Sequence, residues 1–112
     1  GAIIVTTPQE VSLLDVRKGI AMLQKTSVPV LGIIENMTGD VFGRGGGKKA
    51  AEQFQVPLLA EIPLDPQVRE GGDTGEPIVV SRPQSAASYG FFQAGDALIR
   101  ILNKKAEEVP NG

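Results

Sequence analysis

The chain has 112 residues and a formal net charge of −2, so it has the size of one small domain and gives no reason to expect nucleic acid or a membrane as a partner. It contains neither cysteine nor histidine, which excludes disulfides, Cys/His metal sites and Ser-His-Asp or Cys-His catalysis. It shows no signal peptide and no apolar run as long as a membrane span, so the expected location is the cytoplasm, or else an organelle matrix.

The first third of the chain predicts a strand–helix–strand unit. Residues 2–6 are a β-branched run typical of a buried strand. Thr7 can cap a helix that runs to about Lys25, with Pro8 at its first position and Glu10 as the partner in a capping box. The crossover to the next strand should be right-handed, which makes the two strands parallel. The buried face of this helix is expected to contain Leu13, Val16, Ile20 and Leu23.

The functional prediction depends mainly on the stretch from Val28 to Thr38. Its apolar run, Val30 to Ile34, ends abruptly in Glu35 and Asn36. Such runs are typical of parallel strands buried on both faces, and ligands of open α/β sheets lie just beyond the carboxyl ends of these strands. Asn36 lies at that place, and its amide offers a donor and an acceptor side by side, as a purine edge requires.

A glycine-rich turn follows, and a helix is expected from about Gly46 to Phe54. The turn does not match a phosphate loop, because only three residues separate Gly43 from the Gly-Lys pair and Lys49 stands where that loop has Ser or Thr. Consecutive backbone N–H groups at a helix N-terminus can still hold an anion. The alternative is a flexible loop that leads into a helix, and this alternative is preferred.

A third strand is expected from Leu58 to Ile62, and a polar turn, Pro63 to Pro66, follows it. Asp65 can cap a short helix whose first position is proline. Gly71 and Gly72 should end that helix.

The last part of the chain predicts an extended segment at residues 76–80 and a final helix that starts near Gln84 or Ser85. Residues 105–112 are expected to form a polar tail, so that residues 1–104 make up the domain. The buried face of the final helix is expected to contain Ala87, Phe91, Ala94, Leu98, Ile101 and Leu102.

This order of elements predicts an α/β fold, a parallel sheet with flanking helices. Three strands are few for a sheet buried on both faces, and the first strand is expected to leave an apolar edge open. Either the chain is the second half of a larger domain or it pairs with another copy, and the first alternative is preferred.

Two of the predicted strands end in turns at the same edge of the sheet, so both turns can line one slot. Asn36 can pair with a purine, the backbone of Pro63 and Leu64 can pack on its flat face, and Asp65 can hydrogen-bond the base. The alternatives are that Asn36 is a turn residue tolerant of left-handed geometry and that Asp65 is a plain helix cap.

Five segments in order, residues 1–9, 28–37, 41–47, 61–70 and 72–80, resemble the C-terminal half of the Mrp-type ATPases. They include the Ile-Ile-Glu-Asn-Met and Ile-Pro-Leu-Asp-Pro motifs, and the resemblance extends to about residue 101. These ATPases are nucleotide-binding iron–sulfur cluster carriers related to the MinD/ParA group. The resemblance implies a deviant-Walker P-loop NTPase fold in a homodimer that binds ATP or ADP with magnesium and delivers clusters to apoproteins. It further implies that Asn36, Pro63, Leu64 and Asp65 contact the adenine.

The chain departs from this family pattern in two ways. The Walker A loop, the magnesium-binding aspartates and the switch regions lie upstream in the family, so this segment alone should not hydrolyse ATP, and no catalytic or metal-ligating residue is assigned. Many members also carry a Cys-x-x-Cys before the Phe-Gly-x-Gly-Gly turn, whereas Gly39 here leads directly to Asp40, so this chain offers no cysteine ligand for a cluster. The alternative functions are a MinD/ParA-type positioning ATPase and a standalone binding module.

Overall fold

The computed structural model describes residues 1–8 and 13–108, and its sheet consists of three parallel strands in the order β1-β2-β3. This confirms the predicted α/β fold with a parallel sheet. The strands are β1 (Ala2–Thr6), β2 (Val30–Thr38) and β3 (Leu58–Pro63). The helices are α1 (Leu13–Lys25), α2 (Gly46–Phe54), α3 (Pro66–Thr74), α4 (Ile78–Ser81) and α5 (Ala86–Glu108).

The first hydrophobic core lies between the central strand β2 and the helices α1 and α2. Ile33 is fully buried there, in one cluster with Val16 of α1 and with Ala50 and Ala51 of α2. Alternate side chains of a strand point to opposite faces, so this cluster covers only one face of the sheet. Of the predicted buried face of α1, Val16 is buried, whereas residues 20 and 23 are half-buried.

A second core covers the other face, where α5 lies close to β3. Ile62, Ile78 and Ala87 form its buried centre. Gly90 permits the close approach of α5, because a Cβ atom at this position would lie 3.0 Å from the Glu61 carbonyl oxygen and 3.1 Å from a side-chain carbon of Ile62. Small residues of α5 therefore face the sheet.

The predicted buried face of α5 is correct only in part. Ala87 and Ala94 are buried and residues 98 and 101 are half-buried, but Phe91 and Leu102 are exposed. The small residues Ala87, Gly90 and Ala94 pack toward the sheet, whereas the larger Phe91 lines an open groove between α3, α4 and α5 and stays 36% exposed.

Two predicted boundaries after β3 are wrong. The helix α3 does not end at residues 71 and 72 but continues to Thr74, where Gly75 adopts a left-handed conformation with φ 78° and donates its N–H to the Gly71 carbonyl. The segment 76–80 is not extended, because α4 begins at Ile78. Pro77 precedes α4 with φ −58°, and its carbonyl accepts hydrogen bonds from the next turn, at 2.9 and 3.1 Å.

The two ends of the chain are described in part. Pro8 is the last described residue before α1, so the predicted capping-box partner Glu10 lies outside the described residues. At the other end α5 continues to Glu108, and residues 109–112 are likewise outside the description. The division of the chain at residue 104 stays a prediction.

The strand β1 forms one edge of the sheet, with β2 on one side and no described strand on the other. Its side chains are mostly half-buried, and Val5 is 61% exposed. Within the described residues, none of the helices has the length and apolar character needed to cross a bilayer.

Candidate functional site

The tips of β2 and β3 lie side by side at one edge of the sheet. Thr38 is paired with Pro63, and the Leu64 N–H donates a hydrogen bond of 2.8 Å to the Thr38 carbonyl. Because parallel strands present their carboxyl ends at the same edge, this pairing brings Asn36 and the turn at residues 63–65 to one side of the molecule.

Asn36 is half-buried at the end of β2, and part of its amide already has a partner. Its Oδ1 accepts a hydrogen bond of 3.0 Å from the N–H of Met37. The left-handed conformation predicted as an alternative for Asn36 is found at Met37, with φ 57°. An amide oxygen can accept a second hydrogen bond, and its NH₂ group supplies two donors. The side chain thus keeps the capacity to bind a ligand that presents both a donor and an acceptor.

The turn after β3 places Asp65 as the N-cap of α3, as the alternative interpretation proposed. Its Oδ1 accepts a hydrogen bond of 2.9 Å from the N–H of Gln67, and its backbone is extended, with φ −142° and ψ 117°. Pro66 occupies the first helical position. Of the two remaining candidates in this turn, Pro63 is half-buried and Leu64 is 39% exposed, so both leave apolar surface open at the strand tips.

We expect Asp65→Ala to lower the free energy of unfolding by about 1 kcal/mol, because the first turn of α3 loses its side-chain acceptor. Asp65→Asn retains an acceptor of the same reach and should change stability by only about 0.3 kcal/mol. Urea denaturation of the two variants measures this difference. Equal losses in both variants would show that the charge matters more than the cap.

Glu35, which precedes Asn36, is fully buried and holds the N-terminus of α2. Its Oε2 accepts hydrogen bonds of 3.2 Å from the N–H groups of Gly45 and Gly47. The N-cap residue Gly45 has no side chain, so the remote carboxylate serves in its place. The apolar run that ends at Glu35 does not by itself predict this role. The one indication in the sequence is that the predicted helix at residues 46–54 has no capping side chain of its own before it.

The glycine turn between β2 and α2 is closed by its own backbone. Gly39 and Gly43 exchange two hydrogen bonds, of 2.9 and 2.7 Å, and Arg44 lies 3.7 Å from Asp40 in an exposed ion pair. Two of the amides that the sequence offered as an anion site, those of Gly45 and Gly47, donate to Glu35 instead. This arrangement favours the structural interpretation of the turn over an anion site.

An apolar groove of about 450 Å³ lies elsewhere, between α3, α4 and α5. Val68, Pro77, Ile78 and Phe91 are among the residues that line it, together with glycines of α3. Ligand sites need a few polar groups that orient the bound molecule. The lining of this groove has no polar side chain, so the strand tips remain the better candidate site. No group of three potential metal ligands occurs in the part of the chain that the structure describes.

Comparison with protein families matches residues 1–99 to the ParA family, in the group described as NUBPL iron-transfer P-loop NTPases. The chain belongs to this family. The predicted resemblance to a MinD/ParA-related iron–sulfur carrier is thereby confirmed.

Relatives with assigned names point to the same group. An iron-sulfur cluster carrier protein of Deinococcus radiodurans is 44% identical over 125 residues, which cover 98% of this chain and 35% of that protein. One from Synechocystis is 54% identical over 99 residues, which cover 79% of this chain and 28% of that protein. The chain therefore spans about a third or less of the length of these relatives.

Solved structures with the same fold include MinD proteins. The septum site-determining protein MinD of Pyrococcus horikoshii, complexed with Mg-ADP, is 34% identical, with a TM-score of 0.73 over 87% of this chain and 40% of that chain. The cell division ATPase MinD of Pyrococcus furiosus is 30% identical, with a TM-score of 0.74 over 90% of this chain and 44% of that chain.

The matched span is longer in the Deinococcus protein than in this chain. It runs over 125 residues, which is longer than this whole chain of 112, so the relative has extra residues within the matched span. The family resemblance expects a Cys-x-x-Cys between the turn at Met37 and the Phe42-Gly-x-Gly-Gly turn. In this chain, the closed turn from Gly39 to Gly43 occupies that place.

Proposed function

We propose that this chain supplies the adenine-binding side of the nucleotide site in an ATP-dependent iron–sulfur cluster carrier. Asn36 would contact the purine edge, the Pro63–Leu64 backbone its flat face, and Asp65 would keep the turn in place by capping α3. The observation that carries the proposal is the hydrogen-bonded junction of the two strand tips, from Leu64 to Thr38. The family and the Mg-ADP complex of the similar MinD protein add support.

The polar groups at this edge fit a nucleotide base better than they fit a phosphate. Asn36 has donor and acceptor capacity, whereas two of the backbone amides at the start of α2, those of Gly45 and Gly47, already donate to Glu35. Phosphate and magnesium contacts, and with them ATP hydrolysis, would come from the Walker A region that the family carries upstream. These residues would hold and orient the base and take no part in the chemical step.

The cluster would be cargo, and its ligands would come from outside these residues. Thiolates are the usual ligands of iron–sulfur clusters, and the chain has no cysteine. We propose that the full-length polypeptide acts as a homodimer in the cytoplasm or an organelle matrix and passes clusters to apoprotein clients. The carrier function is favoured over a MinD-type positioning ATPase because the carriers reach 54% identity and the compared MinD proteins 34%.

We expect Asn36→Ala in the full-length polypeptide to weaken ATP binding by about tenfold, the equivalent of one or two lost hydrogen bonds. Because Asn36 is half-buried and lies near the end of a strand, the substitution should leave the fold intact. Isothermal titration calorimetry measures the affinity, and Asn103→Ala on the exposed surface of α5 is the matched control. Unchanged affinity in Asn36→Ala would contradict the proposed adenine contact.

A second experiment separates the carrier from its alternatives. Anaerobic reconstitution of the full-length polypeptide with iron and sulfide should yield visible absorbance that an apoprotein client can remove. Nucleotide binding without cluster absorbance would favour a positioning ATPase, and the absence of both would favour a binding module without ATPase activity.

A further inference from the structure

The buried carboxylate of Glu35 connects two parts of the molecule that are distant in sequence. It belongs to the central strand, and its Oε2 receives hydrogen bonds from Gly45 and Gly47, which lie 10 and 12 residues further along the chain. The residue after Glu35 is Asn36, the residue proposed to contact the base. One short piece of backbone therefore carries both the α2 anchor and the proposed nucleotide contact.

At Gly47, where α2 contacts Glu35, there is no room for a side chain. A Cβ atom on Gly47 would lie 2.8 Å from the Cβ of Glu35 and 3.2 Å from its Oε2. Atoms this close must separate, so any side chain at position 47 would displace the carboxylate. The fit between Glu35 and the start of α2 is therefore specific.

The second oxygen of Glu35 indicates that helix capping alone does not explain the residue. Oε1 is buried and has no hydrogen-bond partner among the described residues. A buried polar atom without a partner costs about 1 to 3 kcal/mol. Gly45 has φ 100°, a left-handed conformation that favours glycine, so a capping side chain at this position is disfavoured and the acceptor comes from Glu35 instead. A remote carboxylate has one property that a local cap lacks, since it fixes α2 relative to the strand tip.

We propose that Glu35 is a positioning residue of the nucleotide site, which fixes the tip of β2, and with it Asn36, against the start of α2. This inference rests on the proposed function. If the carboxylate is lost, the glycine turn is released and the strand end that carries Asn36 becomes free to shift. Nucleotide affinity then falls although Glu35 itself touches no nucleotide.

The test compares Glu35→Ala, Glu35→Gln and Gly47→Ala in the full-length polypeptide, at a temperature where each is folded. ATP affinity is measured by calorimetry, and amide hydrogen exchange reports on Gly45 and Gly47. Glu35→Ala and Gly47→Ala should weaken ATP binding by about tenfold and speed exchange at the start of α2. Glu35→Gln keeps a carbonyl oxygen where Oε2 lies, so its affinity should stay within about twofold and its exchange should stay slow.

Two controls separate positioning from general destabilisation. Glu52→Ala removes an exposed carboxylate of α2, and Gly72→Ala adds a methyl group in open space, so neither should change ATP affinity. If Glu35→Ala does not fold, Gly47→Ala carries the test alone. Wild-type affinity in a folded Glu35→Ala or Gly47→Ala variant would overturn the positioning role. A wild-type protein that binds no ATP would instead refute the proposed function.

Discussion

Ile33→Ala should lower the free energy of unfolding by about 3 to 4 kcal/mol, the largest effect expected for any single truncation in this chain. Ile33 is 0% exposed and lies in the central strand, where Val16 and Ala50 pack in the same cluster. The alanine variant loses the transfer free energy of three carbon atoms and leaves a cavity between β2 and its two helices. Val16, Ala50 and Ala51 belong to the same packed cluster, so we expect the cavity to collapse only in part.

Urea denaturation of the full-length polypeptide measures this loss, and Val41→Ala serves as the control. Val41 is 73% exposed in the glycine turn, so removing its two methyl groups should change stability by less than about 0.5 kcal/mol. Small domains have a total stability of about 5 to 15 kcal/mol, so the Ile33 variant should lose a large share of it. Similar losses in both variants would mean that the core does not centre on β2.

The elements that the sequence predicted well are those in which local and tertiary preferences agree. The apolar run from Val30 predicts a strand buried on both faces, and β2 is the central strand. The Asp65-Pro66 pair predicts a helix start, and the structure has the expected cap hydrogen bond there. Since both strand tips follow from these assignments, their meeting at one edge could be derived before any coordinates were known.

The errors in α3 and α5 have a common cause. Glycine not only ends helices but also lets two parts of the backbone pack closely together. Gly71 and Gly72 look like helix terminators, yet α3 includes both because the chain after Gly75 folds back onto Gly71. Gly90 was not expected at the interface, although it brings α5 closest to β3. Periodic hydrophobicity assigns burial to large side chains and gives no weight to glycine, so it predicted burial for Phe91 and missed the contact at Gly90.

The role of Glu35 could not be read from its neighbours because its partners lie in another element. A glutamate at the end of an apolar run is ordinarily taken as the point where the strand reaches solvent. The only indication comes from the start of α2, where glycine stands in place of a capping side chain. The first N–H groups of α2 therefore need an acceptor from another part of the chain. That requirement is visible in the sequence, but the identity of the acceptor depends on tertiary structure.

The two adjacent glycines of α3 should respond to alanine with opposite signs. A Cβ atom on Gly71 would lie 2.6 Å from the backbone carbonyl oxygen of Glu76, and a backbone atom cannot rotate away as a side chain can. Gly72 has no atom within 4 Å of its Cβ position. Replacing glycine by alanine stabilises a helix by about 1 kcal/mol at either site. The difference in stability between the two variants therefore measures the steric conflict alone.

We therefore expect Gly71→Ala to destabilise the protein by about 2 kcal/mol, because overpacking outweighs the gain in helix propensity. Gly72→Ala should stabilise it by about 0.5 to 1 kcal/mol. Thermal unfolding of both variants beside the wild type gives the comparison. Stabilisation in both would show that the chain after Gly75 does not pack on α3. In that case the groove between α3, α4 and α5 would lose one of its walls.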